Sequence, residues 1–318
     1  MNLYWPVYKN LEREIIELSN QVHFDDTQIL IYSVKLSELL IRCSVEIEAI
    51  AKELYFIIGG IEPSDKDLFF DTDCIELLER KWLLSKKQVL VTSPNFYFKN
   101  YENKVLTPLN KANKRGTSGA DWKRAYQAVK HHRTANLSKG NIKHLLRAMA
   151  ALFLLNIYFR DEVFDLSDKN TDNFSKSLSE LFDIKVHTWH GSTVEDSYIK
   201  HSDFDECVYL VKWTDEYNKK WNEFSLEHNK SLKEIIFNHP NVKKYINENL
   251  IENGKIKPKE FTSFISNREY FKCFDMKKEY GDMIRQAEFQ ASEKLNFSWR
   301  TAAKFEAIIN KCQNIYPD

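Results

Sequence analysis

The chain predicts a mainly α-helical protein: a helical bundle with a small β-hairpin insertion, followed by a helix-rich α+β C-terminal domain. Three observations carry the prediction. Apolar residues recur at helical spacing over long stretches. Gly and Pro are scarce, 8 and 7 in 318 residues, which argues against a β-sandwich or a disordered chain. The pattern changes after a polar stretch near residue 170.

Taken in order, Tyr8, Leu11, Ile15, Leu18 and Val22 give a first amphipathic helix after Pro6. Asp25, Asp26 and Thr27 offer an N-cap for a long second helix through "ILIYSVKLSELLIRCSVEIEAIAKELYFII", which stops at Gly59-Gly60. Tyr32, Leu36, Leu39, Cys43, Ile47, Ile50, Leu54 and Ile57 form its predicted buried stripe. Two such helices close in sequence predict an antiparallel bundle. A short helix is expected at 74–83, and "KQVLVTS" and "NFYFKNYENKVLTPL" read as a hairpin. The polar loop "NKANKRGTSGA" leads into the helix "DWKRAYQAVKHHR", and "GNIKHLLRAMAALFLLNIYF" is the fourth bundle helix.

The non-periodic stretch "DLSDKNTDNFSKS" predicts a boundary, giving a bundle over 1–165 and a second domain over 177–318. In the latter, "LFDIKVHTW" and "ECVYLVKW" read as strands. Long helices are expected over about 215–237 and 270–294, with a short closing helix ending near Cys312.

Hydrophobic residues make up 43% and charged residues 29%, the balance of a globular protein. Five cysteines, far apart and without CxxC spacing, predict buried reduced thiols and a cytoplasmic protein. The N-terminus shows no apolar leader core, and the longest apolar run, "AMAALFLLNIY", is too short to cross a bilayer. No membrane association is therefore expected. No Walker, dinucleotide-binding, kinase, GxSxG or HExxH motif occurs, so no cofactor is expected.

Lys+Arg and Asp+Glu both number 46, yet charge is segregated. Between residues 104 and 147 stand eleven Lys and Arg, three His and a single acid, Asp121. Such a segment predicts a polyanionic partner, RNA or a nucleotide phosphate. Lys111, Lys114, Arg115, Lys123, Lys130 and Arg133 are the candidate phosphate contacts. The loop before the helix N-terminus also suits a phosphate. The alternative is that these cations pair with acids elsewhere in the fold.

On a helical projection Trp122, Ala125, Tyr126 and Val129 make the core stripe of 121–133. Arg124 and His131, seven residues apart, fall opposite it with Gln127 beside them, and His132 lies at the stripe's edge. Histidine can move the proton of a ribose 2′-OH or of the leaving oxygen, and arginine can hold the phosphate. Arg124, His131 and His132 are the candidate catalytic residues.

A helical bundle whose late helix carries Arg124-x6-His131 resembles the HEPN family (higher eukaryotes and prokaryotes nucleotide-binding), over roughly residues 1–165. The resemblance implies RNA binding and metal-independent endoribonuclease activity in a homodimer with facing motifs, as an effector of bacterial defence or toxin–antitoxin systems. Glu48 and Lys52 on the second helix resemble a polar pair of some members. Ala125 stands where the nucleases often carry a polar residue, so a non-catalytic adaptor binding a nucleotide or protein remains an alternative. In either reading the C-terminal domain is the expected site for a protein partner.

Two other constellations read as structural. His187, His190 and His201 lack a recognisable metal spacing, so no metal site is expected. Asp183 and Lys185 echo half of a metal-dependent nuclease site, a second alternative, but alternate with Phe182, Ile184 and Val186 as in any half-buried strand.

Overall fold

The computed structural model describes residues 3–169, 174–188, 202–298 and 303–315. The chain is mainly helical. Its elements are α1 (Tyr4–Ser19), β1 (Phe24–Asp25), α2 (Val34–Ile57), α3 (Glu76–Trp82), β2 (Val89–Val91), β3 (Phe96–Tyr97), α4 (Tyr101–Lys104) and β4 (Val105–Leu106). Then come α5 (Asp121–His131), α6 (Arg133–Asn136), α7 (Ile142–Arg160), β5 (Phe164–Ser167), β6 (Phe182–Ile184), β7 (Val186–His187) and β8 (Tyr209–Trp213). The remainder is α8 (Asp215–Asn238), α9 (Pro240–Tyr245), β9 (Ile251–Glu252), β10 (Lys255–Ile256), α10 (Pro258–Ser266), α11 (Glu279–Leu295) and β11 (Phe305–Ile309).

Contacts divide the chain into two compact units, Met1–Lys212 with Phe305–Asp318, and Trp213–Lys304. This division differs from the break expected at 165–177. Residues beyond the polar stretch are bound into the first unit: β6 pairs antiparallel with β2, Leu90 opposite Asp183. Buried Glu12 of α1 accepts hydrogen bonds from Ser179 and from the Glu180 N–H.

The first unit is built around α7, which packs against α2 while α1 and α5 complete the bundle. Every residue from Ala148 to Tyr158 is buried, and this stretch of α7 is apolar on all faces except at Asn156 because neighbours cover it all round. It is the one helix among the described residues long and apolar enough to cross a membrane, and 78% of its most apolar window is buried in the fold.

The second helix starts later than expected. Ser33, in extended conformation, caps it by accepting from the Leu36 N–H at 3.1 Å. The preceding residues serve α7 instead: the carbonyls of Ile31 and Ile29 accept the N–H groups of Ile142 and Lys143 in its first turn. Tyr32 consequently lies outside the helix, 51% exposed, and Ile57 at its far end is 64% exposed. Gly140, between α6 and α7, allows a close approach to α2, since a Cβ there would meet Ser37 Oγ at 1.9 Å.

The expected hairpin is part of a three-stranded sheet of order β4-β2-β6, and β3 pairs with β1. A four-stranded sheet of order β5-β11-β8-β7 closes the unit. The segment read as a closing helix is strand β11, whose Phe305, Ala307 and Ile309 alternate into the core. Cys43, Cys74 and Cys207 are buried, whereas Cys273 is half-buried and Cys312 exposed, against the expectation for those two.

In the second unit α8 packs along α11, with the β9–β10 hairpin and α10 between them in sequence. Tyr217, Phe224, Ala291 and Phe297 form one cluster, and Ile236, Val242, Leu250, Phe264, Phe274 and Met283 another.

Candidate nucleic-acid interface

Helix α5 is held by its apolar stripe. Trp122, Ala125, Tyr126 and Val129 are buried, and the Trp122 indole donates to the Pro108 carbonyl at 2.8 Å. That bond ties the helix to the loop at 107–120. Arg124 and His131 lie on the opposite, exposed face. In the tautomer protonated at Nε2, His131 donates to Gln127 Oε1 at 3.2 Å, which leaves Nδ1 with its lone pair. Arg124, Gln127 and His131 thus form one outward stripe along about two turns, roughly 10 Å.

The Arg124 guanidinium makes no hydrogen bond or ion pair among the described residues. It lines two clefts. One, of about 640 Å³, is bounded by Glu48, Phe69, Phe70, Asp71, Gly116, Arg124 and Gln127, among others. The second, of about 510 Å³, runs from Thr107 and Lys111 past Thr117–Gly119 to Arg124 and Arg147. Both volumes fall in the range of ligand clefts.

Glu48 faces the first cleft, and the Tyr126 hydroxyl reaches both Glu48 and Lys130. Burial pushes the Tyr126 phenol up, while that hydroxyl raises the exposed Lys130 ammonium. Lys52 is exposed, and no Glu48–Lys52 contact takes part in the arrangement.

Three cations of the basic segment are engaged internally. Lys123 is only 4% exposed, and its Nζ donates to Asp71 Oδ2 at 3.1 Å, to the Ala112 carbonyl at 2.9 Å and to the Lys114 carbonyl. Arg115 pairs bidentately with Asp71 and lies 4.0 Å over the Phe69 ring. Arg147 pairs with Asp121. Lys123 is therefore an internal cation and Arg115 a loop anchor, in place of the phosphate contacts expected of them. The reason is Asp71, 52 residues before Lys123 and 44 before Arg115, which no local pattern connects to them.

The helix N-terminus is also occupied by the protein's own anion. Asp121 accepts the Trp122 N–H at 2.8 Å while holding Arg147, so a carboxylate stands where a phosphate was expected. Burial lowers the pKa of His144, against the opposing effect of the Lys139 carbonyl that its Nδ1 meets. His132 turns its Nδ1 onto the His131 carbonyl at 2.5 Å, capping the end of α5. Lys111, Lys114, Lys130 and Arg133 remain exposed.

The other constellations separate in space. Asp183 accepts from the Ile184 N–H and lines a different cleft with Ser179 and Lys176. Lys185 instead pairs with Asp203 and Glu206. His187 is a buried strand residue rather than a loop histidine, whereas His190 and His201 lie outside the described residues.

Compared with family models, curated proteins and solved structures, the chain matches none of them.

Proposed function

We propose that the helical part of the first unit is an RNA-binding, HEPN-like module that cleaves RNA without a metal. Arg124 holds the scissile phosphate and His131 moves the proton. One observation carries the reading: an exposed arginine without an internal partner lines two clefts and shares its face with a histidine already oriented by Gln127. In a segment where Arg115, Lys123 and Arg147 all have carboxylates, the uncommitted guanidinium is the one available to an outside anion.

His131 Nδ1 acts as general base toward the 2′-OH, and the resulting imidazolium can return its proton to the leaving oxygen. The attack forms a 2′,3′-cyclic phosphate. Because the stripe spans about 10 Å, the phosphate sits over Gln127 between the two side chains. A homodimer with facing stripes would supply a second set from the partner copy. The role as effector in bacterial defence or toxin–antitoxin systems rests on the family resemblance alone.

The test is incubation of the pure chain with a mixed RNA pool in EDTA, beside 2′-deoxy controls. Metal-independent cleavage of RNA alone, with cyclic phosphate ends, is the expected result. Binding without cleavage would transfer the case to a non-catalytic nucleotide-binding adaptor. That second reading draws on the first cleft, whose Phe69 and Phe70 beside Arg124 suit an aromatic ligand bearing an anion.

A further inference from the structure

The donor atoms of His187, Asp203 and Cys207 all lie within 4.8 Å of one another. These residues come from two stretches of the first unit that the sheet brings together. Strand β7 pairs parallel with β8, His187 opposite Leu210, so the imidazole lies beside the turn that leads into β8. That turn is the 3₁₀ segment Phe204–Glu206, with Asp203 and Cys207 at its two ends.

The turn is held from three sides. Asn310, fully buried, donates through Nδ2 to the carbonyls of Phe204 at 2.6 Å and Cys207 at 2.9 Å. The Gln88 N–H donates to the Glu206 carbonyl at 2.9 Å, and the Val208 N–H to the Lys185 carbonyl at 2.8 Å. The Phe204 ring lies edge-on to the His187 imidazole at 5.2 Å. A fixed turn beside a fixed strand keeps the three donors together at little further entropic cost.

Asp203 divides its two oxygens. Oδ1 lies 4.0 Å from His187 Nδ1, and Oδ2 lies 3.4 Å from the Lys185 ammonium, which also pairs with Glu206. A carboxylate oriented through one oxygen leaves the other for a ligand, an arrangement found around metal-binding carboxylates. His187 and Cys207 are 2% and 0% exposed, while Asp203 is half-buried, so the group opens outward on the carboxylate side.

We propose that His187, Asp203 and Cys207 bind one zinc-class divalent cation through an imidazole nitrogen, a carboxylate oxygen and the cysteine sulfur, with water in the fourth position. The mixed N, O and S set suits borderline cations of this class over magnesium or calcium, which take oxygen ligands. Tetrahedral bonds of about 2.0–2.3 Å bring donors to about 3.5 Å from one another, so side-chain rotations of about 1 Å complete the site. Binding replaces the thiol proton with the cation and releases that proton to solvent. The bound ion would clamp β7 to the start of β8. The site is separate from Arg124 and His131, and stands whether or not the chain cleaves RNA.

The test uses the full chain, reduced and stripped of metal, titrated with Co²⁺ as a spectroscopic probe. The expected result is saturation at one Co²⁺ per chain with a thiolate-to-cobalt charge-transfer band, and a melting temperature raised by Zn²⁺. Cys207→Ser should abolish the band. Asp203→Asn, a conservative change at a half-buried position, should weaken binding by at least the ~10–100-fold that outer-shell changes cost. Cys312→Ser, at an exposed cysteine, should leave both readouts unchanged. No charge-transfer band in wild type, or undiminished Co²⁺ binding in Asp203→Asn, would overturn the proposal, and the latter decides the case even if Cys207→Ser does not fold.

Discussion

Lys123 Nζ lies 3.1 Å from Asp71 Oδ2, with both side chains buried, and so a buried ion pair anchors the basic helix α5 to Asp71. Arg115 completes it from the exposed side. Through Lys123 the loop carbonyls of Ala112 and Lys114 are drawn onto α5. Arg124, the next residue, turns the other way and borders both clefts.

Asp71→Asn should destabilise the first unit by about 3 kcal/mol, the low end for breaking a buried pair, because Arg115 leaves one side of the carboxylate near solvent. Lys123→Met should cost less, since Arg115 still neutralises Asp71 and the apolar stem is replaced. Urea unfolding of the two variants checks the order. A larger loss in Lys123→Met would mean that the lysine's carbonyl contacts outweigh the charge.

Acid should weaken the same network. Burial pushes Asp71 up, but hydrogen bonds from Arg115 and Lys123 pull it down by more, so its folded value lies below the ordinary aspartate value. A depressed carboxylate stabilises the fold fully above its unfolded pKa, about 3.9, and loses that contribution as pH falls through the folded value. The midpoint of urea unfolding should therefore fall as pH drops below about 5, and Asp71→Asn should flatten that fall. Parallel profiles for the two proteins would show that other carboxylates govern it.

If the proposed chemistry is right, His131→Ala should lower RNA cleavage by about 10²–10⁴-fold with the fold intact, because its ring is exposed and among the described residues bonds only Gln127. Arg124→Ala should lose comparable activity, and Arg124→Lys should recover only part, lacking the forked donor. His132→Ala should keep most activity and lose a little stability, since that ring caps α5. Circular dichroism beside a cleavage time course separates these effects. Full activity in the His131 variant sinks the assignment.

Polyanion affinity should depend on Lys111, Lys114, Lys130 and Arg133, the expected phosphate contacts that remain exposed and without a carboxylate partner among the described residues, and fall with salt by about 0.7 log units per log unit for each phosphate contact. Lys111 sits at φ 59°, so Lys111→Gly removes a charge while easing the backbone, and stability should hold or rise. Fluorescence anisotropy with a single-stranded RNA at several salt concentrations reads the slope. An unchanged slope after replacing Lys111 and Lys114 together would place the contacts elsewhere.

Trp122→Ala should cost about 3–5 kcal/mol, since it empties a buried site and removes the bond to the Pro108 carbonyl. Thermal melting measures it directly. A loss under about 1 kcal/mol would mean that α5 is held by the loop contacts instead.

Much of the bundle was legible because its signals are local. The stripe Trp122, Ala125, Tyr126 and Val129 repeats every three to four residues, and burial follows that period on any helix packed on one side. The outward placement of Arg124 and His131 follows from the same arithmetic. The sequence places the start of α2 too early because Ile29 continues the spacing of Tyr32 and Leu36, while the carbonyls of Ile29 and Ile31 are taken by the first turn of α7, more than a hundred residues away. The closing strand β11 is not legible in the sequence because its alternation is short and its partners, β5 and β8, lie far off along the chain.

Composition and periodicity alone determined that the chain is mainly helical, that its first half forms a bundle whose fourth helix, "GNIKHLLRAMAALFLLNIYF", is buried, and that its positive charge gathers on one segment. These properties depend on residues within a few turns of each other, so the linear order carries them. Only the tertiary structure decided which of those charges face outward. Asp71 neutralises Lys123 and Arg115, Asp121 holds Arg147, and Arg124 is left without such a partner among the described residues. It likewise decided that His187 meets Asp203 and Cys207. A counterion or a ligand set is chosen by distance in space, and the chain's order does not encode which distant residues the fold will bring within a few ångströms.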